Sequence, residues 1–157
     1  MRLMVAGCAL AFGLDQLSKN LVIHRMGLVD RFAIDVWPPI LNFRYGENTG
    51  INFGLFDGAA DMGRWILIGV SILICIALSV WTLRQPPHRG LRFAAGLVAG
   101  GALGNVLDRV VYGYVLDFLN MSCCGIHNPF VFNVADVFIF GGAAALILFD
   151  GQLKKPT

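Results

Sequence analysis

Uncharged, mostly apolar residues run unbroken from Trp65 to Leu83, bracketed by Arg64 and Arg84. A helix of about 20 such residues crosses the hydrocarbon of a bilayer, so this stretch predicts a span. Leu91 together with Phe93–Leu107 predicts a second, closing at Asp108-Arg109. Val131–Phe149, interrupted only by Asn133 and Asp136, predicts a third. Near the start of the chain Leu3–Leu14 is short by itself, and Leu21-Val22-Ile23 completes it once Asp15 and Lys19 are accepted inside. The pattern therefore predicts four helices, at about 3–23, 65–83, 92–112 and 132–149.

The segment between the first two spans, about 24–64, follows a different rule. Pro38-Pro39 stops any helix. Ile40-Leu41-Asn42-Phe43-Arg44-Tyr45 alternates as a half-buried strand does. Gly46-Glu47-Asn48-Thr49-Gly50 supplies turn chemistry and Ile51-Asn52-Phe53-Gly54 resumes the alternation, so a small surface hairpin is predicted. Trp37, Phe43, Tyr45, Phe53 and Phe56 suit the headgroup level of a membrane. The expected fold class is an all-α membrane protein: four transmembrane helices with a small extracytoplasmic β-sheet segment between the first and second. One domain over 1–157 accommodates all of it.

Composition agrees. Hydrophobic residues make up 57% of the 157 and charged residues 14%, with a mean hydropathy of +0.69. Disorder, coiled coils and nucleic-acid modules all need charge that this chain lacks. A net charge of +2 is too small to argue for a polyanionic partner. Four cysteines do not make a disulfide scaffold. Charge placement sets orientation: segment 84–92 holds three arginines, Arg2 precedes the first span and Lys154-Lys155 follow the last. Four spans put all of these on one side, the cytoplasmic side by the positive-inside rule. Segment 24–64, with four arginines offset by five acids, then lies outside. Val5-Ala6-Gly7-Cys8 resembles a lipoprotein cleavage box, but four preceding residues leave no room for a signal peptide, so the span is retained.

An ionisable group inside a span is costly and needs a reason. At about 1.5 Å per residue, Asp15 stands roughly 20 Å above Arg2, Asp108 roughly 24 Å above Arg92, and Asp136 roughly 21 Å above Asp150. Three helices thus bring polar groups to one height, near the outer edge of the hydrocarbon. Asp15 and Lys19 are four apart and share a face, which on its own reads as a neutralising structural pair. Asn105 is three residues from Asp108 and four from Arg109, and Asn133 three from Asp136. Asp117, in the apolar stretch Tyr112–Phe118, returns one more carboxylate to this level. Two poorly hydrated acids that share a proton can activate water, one as base and one as acid. On spacing alone the alternative stays open that Asp117 caps the helix at Asn133 or pairs with Arg109.

Gly96, Gly100 and Gly104 form a small-residue stripe that admits a close helix, for which Gly141–Ala145 is the expected partner. Cys8 and Cys75 read as small hydrophobes in spans. Cys123-Cys124 with His127 does not supply a tetrahedral metal set, and oxidation of these thiols is the livelier reading.

Five blocks in order carry a resemblance: Asp15-Gln16-Leu17-Ser18-Lys19, Glu47-Asn48-Thr49-Gly50, Gly104-Asn105-Val106-Leu107-Asp108-Arg109, Gly113-Tyr114-Val115-Leu116-Asp117-Phe118 and Phe132-Asn133-Val134-Ala135-Asp136. In these the chain resembles the bacterial lipoprotein signal peptidases, aspartyl peptidases of the cytoplasmic (inner) membrane. The resemblance implies that Asp117 and Asp136 are the catalytic pair. It implies that Asn48, Asn105, Arg109 and Asn133 bind substrate, that Asp15 and Lys19 support the site, and that Asp108 holds the end of its span through an ion pair. It implies cleavage just before the lipid-modified cysteine of a prolipoprotein, near the outer leaflet, by a monomer among membrane lipids, with no metal, organic cofactor or nucleic acid. Ile51-Asn52 departs from the family, which usually has alanine and then a small or aromatic residue.

A proton- or ion-coupled transporter subunit using Asp15, Lys19 and Asp136 as a relay is the runner-up. It predicts charges spread through the bilayer depth and an internal repeat. Here the charges gather at one boundary and no repeat is present. A non-catalytic membrane adaptor would have no need of two acids in the outer layer.

Overall fold

The computed structural model of the protein describes residues 1–50, 59–122 and 128–153. Helix α1 (Arg2–Lys19) continues into a π-helical stretch (Asn20–Arg25) and a single turn, α2 (Leu28–Arg31). Strands β1 (Ala33–Trp37) and β2 (Leu41–Asn48) follow, then the long helices α3 (Ala59–Arg84) and α4 (Arg89–Tyr112). Strand β3 (Val115–Asn120) and helix α5 (Val134–Leu153) complete the order. Of the described helices, three are long and apolar enough to cross a membrane: Asp61–Arg84, Arg89–Tyr112 and Val134–Gly151. α1 stands apart because its 18 residues include Arg2, Asp15 and Lys19.

Half of α4's most apolar stretch is buried in the protein, against 17% for α3 and α5. α4 is therefore the central helix, with α1, α3 and α5 packed around it. Side chains such as Leu73, Ile76, Phe140 and Ile147 point outward, an arrangement suited to lipid rather than water. α4 starts three residues before the predicted boundary because His88 caps it, its Nδ1 accepting from the Leu91 N–H at 3.1 Å. It ends at Gly113, whose φ of 93° closes the last turn in the left-handed region that glycine adopts without strain.

The glycine stripe meets a different partner from the one expected. A Cβ on Gly96 would lie 2.1 Å from the Met4 carbonyl oxygen, and one on Gly100 2.3 Å from that of Cys8, so the stripe seats α1. α5 meets α4 one position further round, where Gly101 faces Ala135, and Gly142 of α5 rests on Ala94 and Val98. Spacing names a face of a helix but not the element that covers it.

The hairpin also differs from expectation. β2 runs straight through Gly46-Glu47-Asn48, and the turn falls at Pro38–Ile40, where prolines carry no N–H to donate. β1 pairs antiparallel with β2 on one side, and β3, from beyond α4, pairs antiparallel on the other. The sheet is thus not confined to the segment between the first two predicted spans. Successive residues of β3 point to opposite faces. Leu116 and Phe118 enter a core with Val22, Ile23 and Leu28, which turns Asp117 toward the helix ends. The expected Ile51–Gly54 strand, together with Phe53 and Phe56, lies outside the described residues.

A Cβ at Gly100 cannot be accommodated without moving α1 off α4, whereas Gly141 has nothing within 4 Å. Gly100→Ala is expected to lower stability by about 1–3 kcal/mol. Gly141→Ala leaves stability unchanged or slightly raised. Melting temperatures in detergent check both, and equal values for the two variants would remove the close packing of α1 on α4.

Candidate active site

The site is built on a buried lysine. Lys19 Nζ donates to Asp15 Oδ2 at 2.8 Å and to Asn105 Oδ1 at 3.3 Å, and lies 2.7 Å from Asp108 Oδ2. Its three protons thus meet three acceptors, and its side chain is only 3% exposed. Gln16 Nε2 ties the two acids together, donating to Asp15 Oδ2 at 3.1 Å and to Asp108 Oδ1 at 3.0 Å. Asp108 Oδ2 also accepts the Leu116 N–H at 3.1 Å, which fixes the start of β3 to α4. Asp15 Oδ1 accepts the Ala135 N–H at 2.9 Å in the first turn of α5. That helix end carries partial positive charge and offsets the excess of two carboxylates over one ammonium. Gly104 leaves the space for Asp15, since a Cβ there would lie 2.5 Å from Oδ2.

Asn133 caps α5 and touches both remaining acids. Its Oδ1 accepts the Asp136 N–H at 3.0 Å, and Asp136 Oδ2 accepts the Asn133 N–H at 3.1 Å, a reciprocal capping box. Asn133 Nδ2 donates to Asp117 Oδ1 at 2.5 Å and to Asn105 Oδ1 at 3.2 Å. Asn105 Nδ2 donates to Asp136 Oδ1 at 3.1 Å. Asn48, at the end of β2, gives Nδ2 to Asp117 Oδ2 at 3.0 Å, while its Oδ1 accepts the Gly50 N–H and so fixes the amide's orientation. The hydrogen bonds to Asp117 and Asp136 therefore come from neutral amides, and neither acid is in an ion pair with a described residue.

Burial pushes the Asp117 carboxyl up to about 6; the Asn48 bond opposes this and the nearby Asp136 charge adds to it. A carboxyl held there can exchange a proton near neutral pH, which an ion-paired one cannot. Asp136 is half-buried and opens into a groove of about 570 Å³ lined by Phe132, Asp136, Val137, Phe140 and Gly141. One turn beyond Asn105, Arg109 Nη1 contacts the Asn105 carbonyl at 3.4 Å, and its Nε has no partner among the described residues. The arrangement thus holds two carboxyl groups beside an apolar groove, with the Arg109 guanidinium only partly engaged nearby. Among the described residues no cluster of His, Cys, Asp and Glu has the grouping of a metal site.

All nine residues singled out from the sequence meet in this one network or at its edge. Asp117 neither caps α5 through its backbone nor pairs with Arg109; it takes the side chain of the capping residue. The residue that spacing did not single out is Gln16. Its signal was a polar side chain within an apolar run, one position from Asp15. Ile51, Asn52, Cys123, Cys124 and His127 lie outside the described residues.

Two carboxyl groups held by amides where α4, α5 and the sheet meet suit an intramembrane hydrolase, and comparison with known proteins gives the family. Residues 8–150 match the signal peptidase II (SPase II) family, peptidase A8, and the chain belongs to it. It is an aspartyl-type signal peptidase. Relatives named lipoprotein signal peptidase include one from Alteromonas mediterranea, 41% identical over 89% of this chain and 75% of the relative. Another, from a Nostoc species, is 39% identical over 99% of this chain and 92% of its own. A bacterial membrane enzyme solved by the in meso method at 1.9 Å superposes with a TM-score of 0.78 at 27% identity, covering 98% of this chain and 94% of that one.

Two outcomes follow from this geometry. Lys19→Met strands two buried carboxylates and is expected to cost roughly 3–5 kcal/mol, read as loss of folded protein or a sharply lower melting temperature. Asp117 binds its proton more tightly folded than unfolded, so its contribution to stability declines as pH rises from 3.8 to about 6. Asp117→Asn removes that decline. Its unfolding free energy should gain on the wild type's across this window, by up to about 3 kcal/mol, and then level off, with its melting temperature rising relative to the wild type's in step. A gap moving the other way would mean that the fold favours the ionised acid.

Proposed function

We propose that this chain removes signal peptides from diacylglyceryl-modified prolipoproteins, cutting just before the lipidated cysteine, with Asp117 and Asp136 as the catalytic pair. The observation that carries this reading is Asn133. One residue donates to an oxygen of each acid, through Nδ2 at 2.5 Å and through its backbone N–H at 3.1 Å, so the two carboxyls are held together without a cation to lock them ionised. Close acids in such surroundings hold one proton between them. The ionised member takes a proton from water as its oxygen attacks the scissile carbonyl carbon, and the protonated member gives its proton to the carbonyl oxygen. As the tetrahedral intermediate collapses, one of its hydroxyls returns a proton to the pair, the C–N bond breaks, and the departing amine of the lipidated cysteine takes a proton from the pair. The signal peptide leaves with a carboxyl group, and no cofactor takes part.

Asn48, Asn105, Arg109 and Asn133 would hold the substrate backbone, with Arg109 the group whose donors are least committed. Asp15, Lys19 and Asp108 would hold these side chains at one height rather than touch substrate. The groove beside Asp136 suits an apolar segment arriving from the lipid. We further read α1 as a fourth span, since pairing of Asp15 and Lys19 removes much of the cost of burying them. The whole chain, 1–157, then forms one integral inner-membrane domain that works as a monomer among membrane lipids. Both termini would be cytoplasmic and the acids near the outer leaflet.

Cleavage of a lipid-modified prolipoprotein in detergent, followed by gel shift, tests the assignment. Asp117→Asn and Asp136→Asn should each fall by about 10²–10⁴-fold while remaining folded. Arg109→Ala should fall by roughly 10–100-fold, the worth of a charge-assisted hydrogen bond. Unchanged turnover in both aspartate variants would sink the aspartyl mechanism here, and unchanged turnover in Arg109→Ala would remove its substrate role.

A further inference from the structure

The end of the molecule far from the acids carries charge that the fold does not use. Arg2, Arg89 and Arg92, with Met1, Pro87 and His88, line a cavity of about 280 Å³ where α1 and α4 begin. None of the three guanidinium groups is in an ion pair with a described residue. Arg92 also holds a buried Nε with no acceptor among the described residues.

A second, apolar space lies further along the same two helices. α1 and α3 both pack on α4 but share no extended face. Between them lies a groove of about 470 Å³, lined by Val5, Cys8, Phe12, Ser79, Ala99 and Leu103 among others. Arg92, Ala99 and Leu103 are spaced seven and four apart and lie on one face of α4. Arg2, Val5 and Ala9, spaced three and four, do the same on α1. The basic cavity and the apolar groove therefore follow one another along the same faces of α1 and α4. From Arg92 to Leu103 the groove rises roughly 16 Å, about half of a hydrocarbon core and so the depth of one leaflet.

We propose that this groove and the basic cavity together bind one anionic glycerophospholipid. Its phosphodiester would accept from Arg2, Arg89 and Arg92, and an acyl chain would lie along Cys8, Ala99 and Leu103. Unpaired guanidinium groups complement a phosphate diester, and the apolar cleft complements its tail. On the orientation proposed above this lipid belongs to the cytoplasmic leaflet; the binding itself does not depend on that orientation or on cleavage.

The test is native mass spectrometry of the full chain released from detergent with equal amounts of dioleoyl phosphatidylglycerol and dioleoyl phosphatidylcholine. The expected result is a single retained phosphatidylglycerol, preferred over phosphatidylcholine. Arg92→Gln should weaken that adduct by about fivefold, the effect of one basic residue at a charged membrane surface. Arg89→Gln, at an exposed position, should do likewise and serves if the first variant does not fold. Ala9→Trp, which fills the groove, should weaken both lipids together. Equal retention of the two lipids, or no change in the arginine variants, would overturn the proposal. So would displacement of phosphatidylglycerol by inorganic phosphate, which would make this a free-anion site. A lipid-free dimer that the Ala9→Trp substitution dissociates would give the groove to a second copy of the chain instead.

Discussion

A single ammonium group, shut away from solvent and with one acceptor for each of its three protons, is the constraint around which the upper half of this protein is arranged. Stripping water from Lys19 and from two carboxylates costs several kcal/mol per ion, and such a cluster persists only when every proton and lone pair is answered. The answers come from elements far apart in the chain. Asp15 and Gln16 lie on α1 and Asn105 and Asp108 on α4, while the amides at the starts of β3 and α5 close the remaining positions. The lysine cluster thus fixes the relative height of two helices and the entry points of a strand and a third helix. Close packing of α1 into the glycine face of α4 then makes that height hard to change.

Above this rigid layer the chemistry changes from charged to neutral. The amide of Asn105 spans the boundary, accepting from Lys19 through Oδ1 and donating to Asp136 through Nδ2. Its orientation is fixed by the lysine, because a flipped amide would point its NH₂ at an ammonium. Electrostatic order is thereby passed to Asp136 without a neutralising charge being passed with it. Asn133 repeats the device, its carbonyl taken by the cap of α5 and its NH₂ left for Asp117. Proposed catalytic acids need this combination of fixed position and free protonation. A salt bridge would give the first and remove the second.

Much of this was legible in the sequence, and the reasons divide cleanly by range. Uncharged runs such as Trp65–Leu83 announce a helix because solvent alone decides their fate. The common height of Asp15, Asp108 and Asp136 follows from counting residues inward from the charges at the opposite helix ends. Strand β3 was not legible as a strand: Val115–Phe118 is buried on both faces, which erases the alternation by which a strand is recognised. Nor was the covering of the glycine stripe by α1, since a spacing of four describes only one of two partners. Gln16 draws its meaning from Gly104 and Asp108, 88 and 92 residues away, and nothing in its neighbours announces them. The proposed role of Asn48 comes from family resemblance alone, and spacing leaves Asp117 between a water-activating acid and a cap, because their contact joins positions 69 apart.

The span of these joints bears on when the molecule becomes dangerous to its surroundings. Asp136 and Asn133 are near neighbours, but Asp117 reaches Asn48 across 69 residues, and Asp15 reaches Ala135 across 120. A chain emerging from its N-terminus holds no complete acid pair until its last long helix has docked against its first. If these acids are the catalytic pair, as proposed, a half-inserted copy lacks the means to cut. On the proposed assignment hydrolytic power arrives last, as a property of finished assembly.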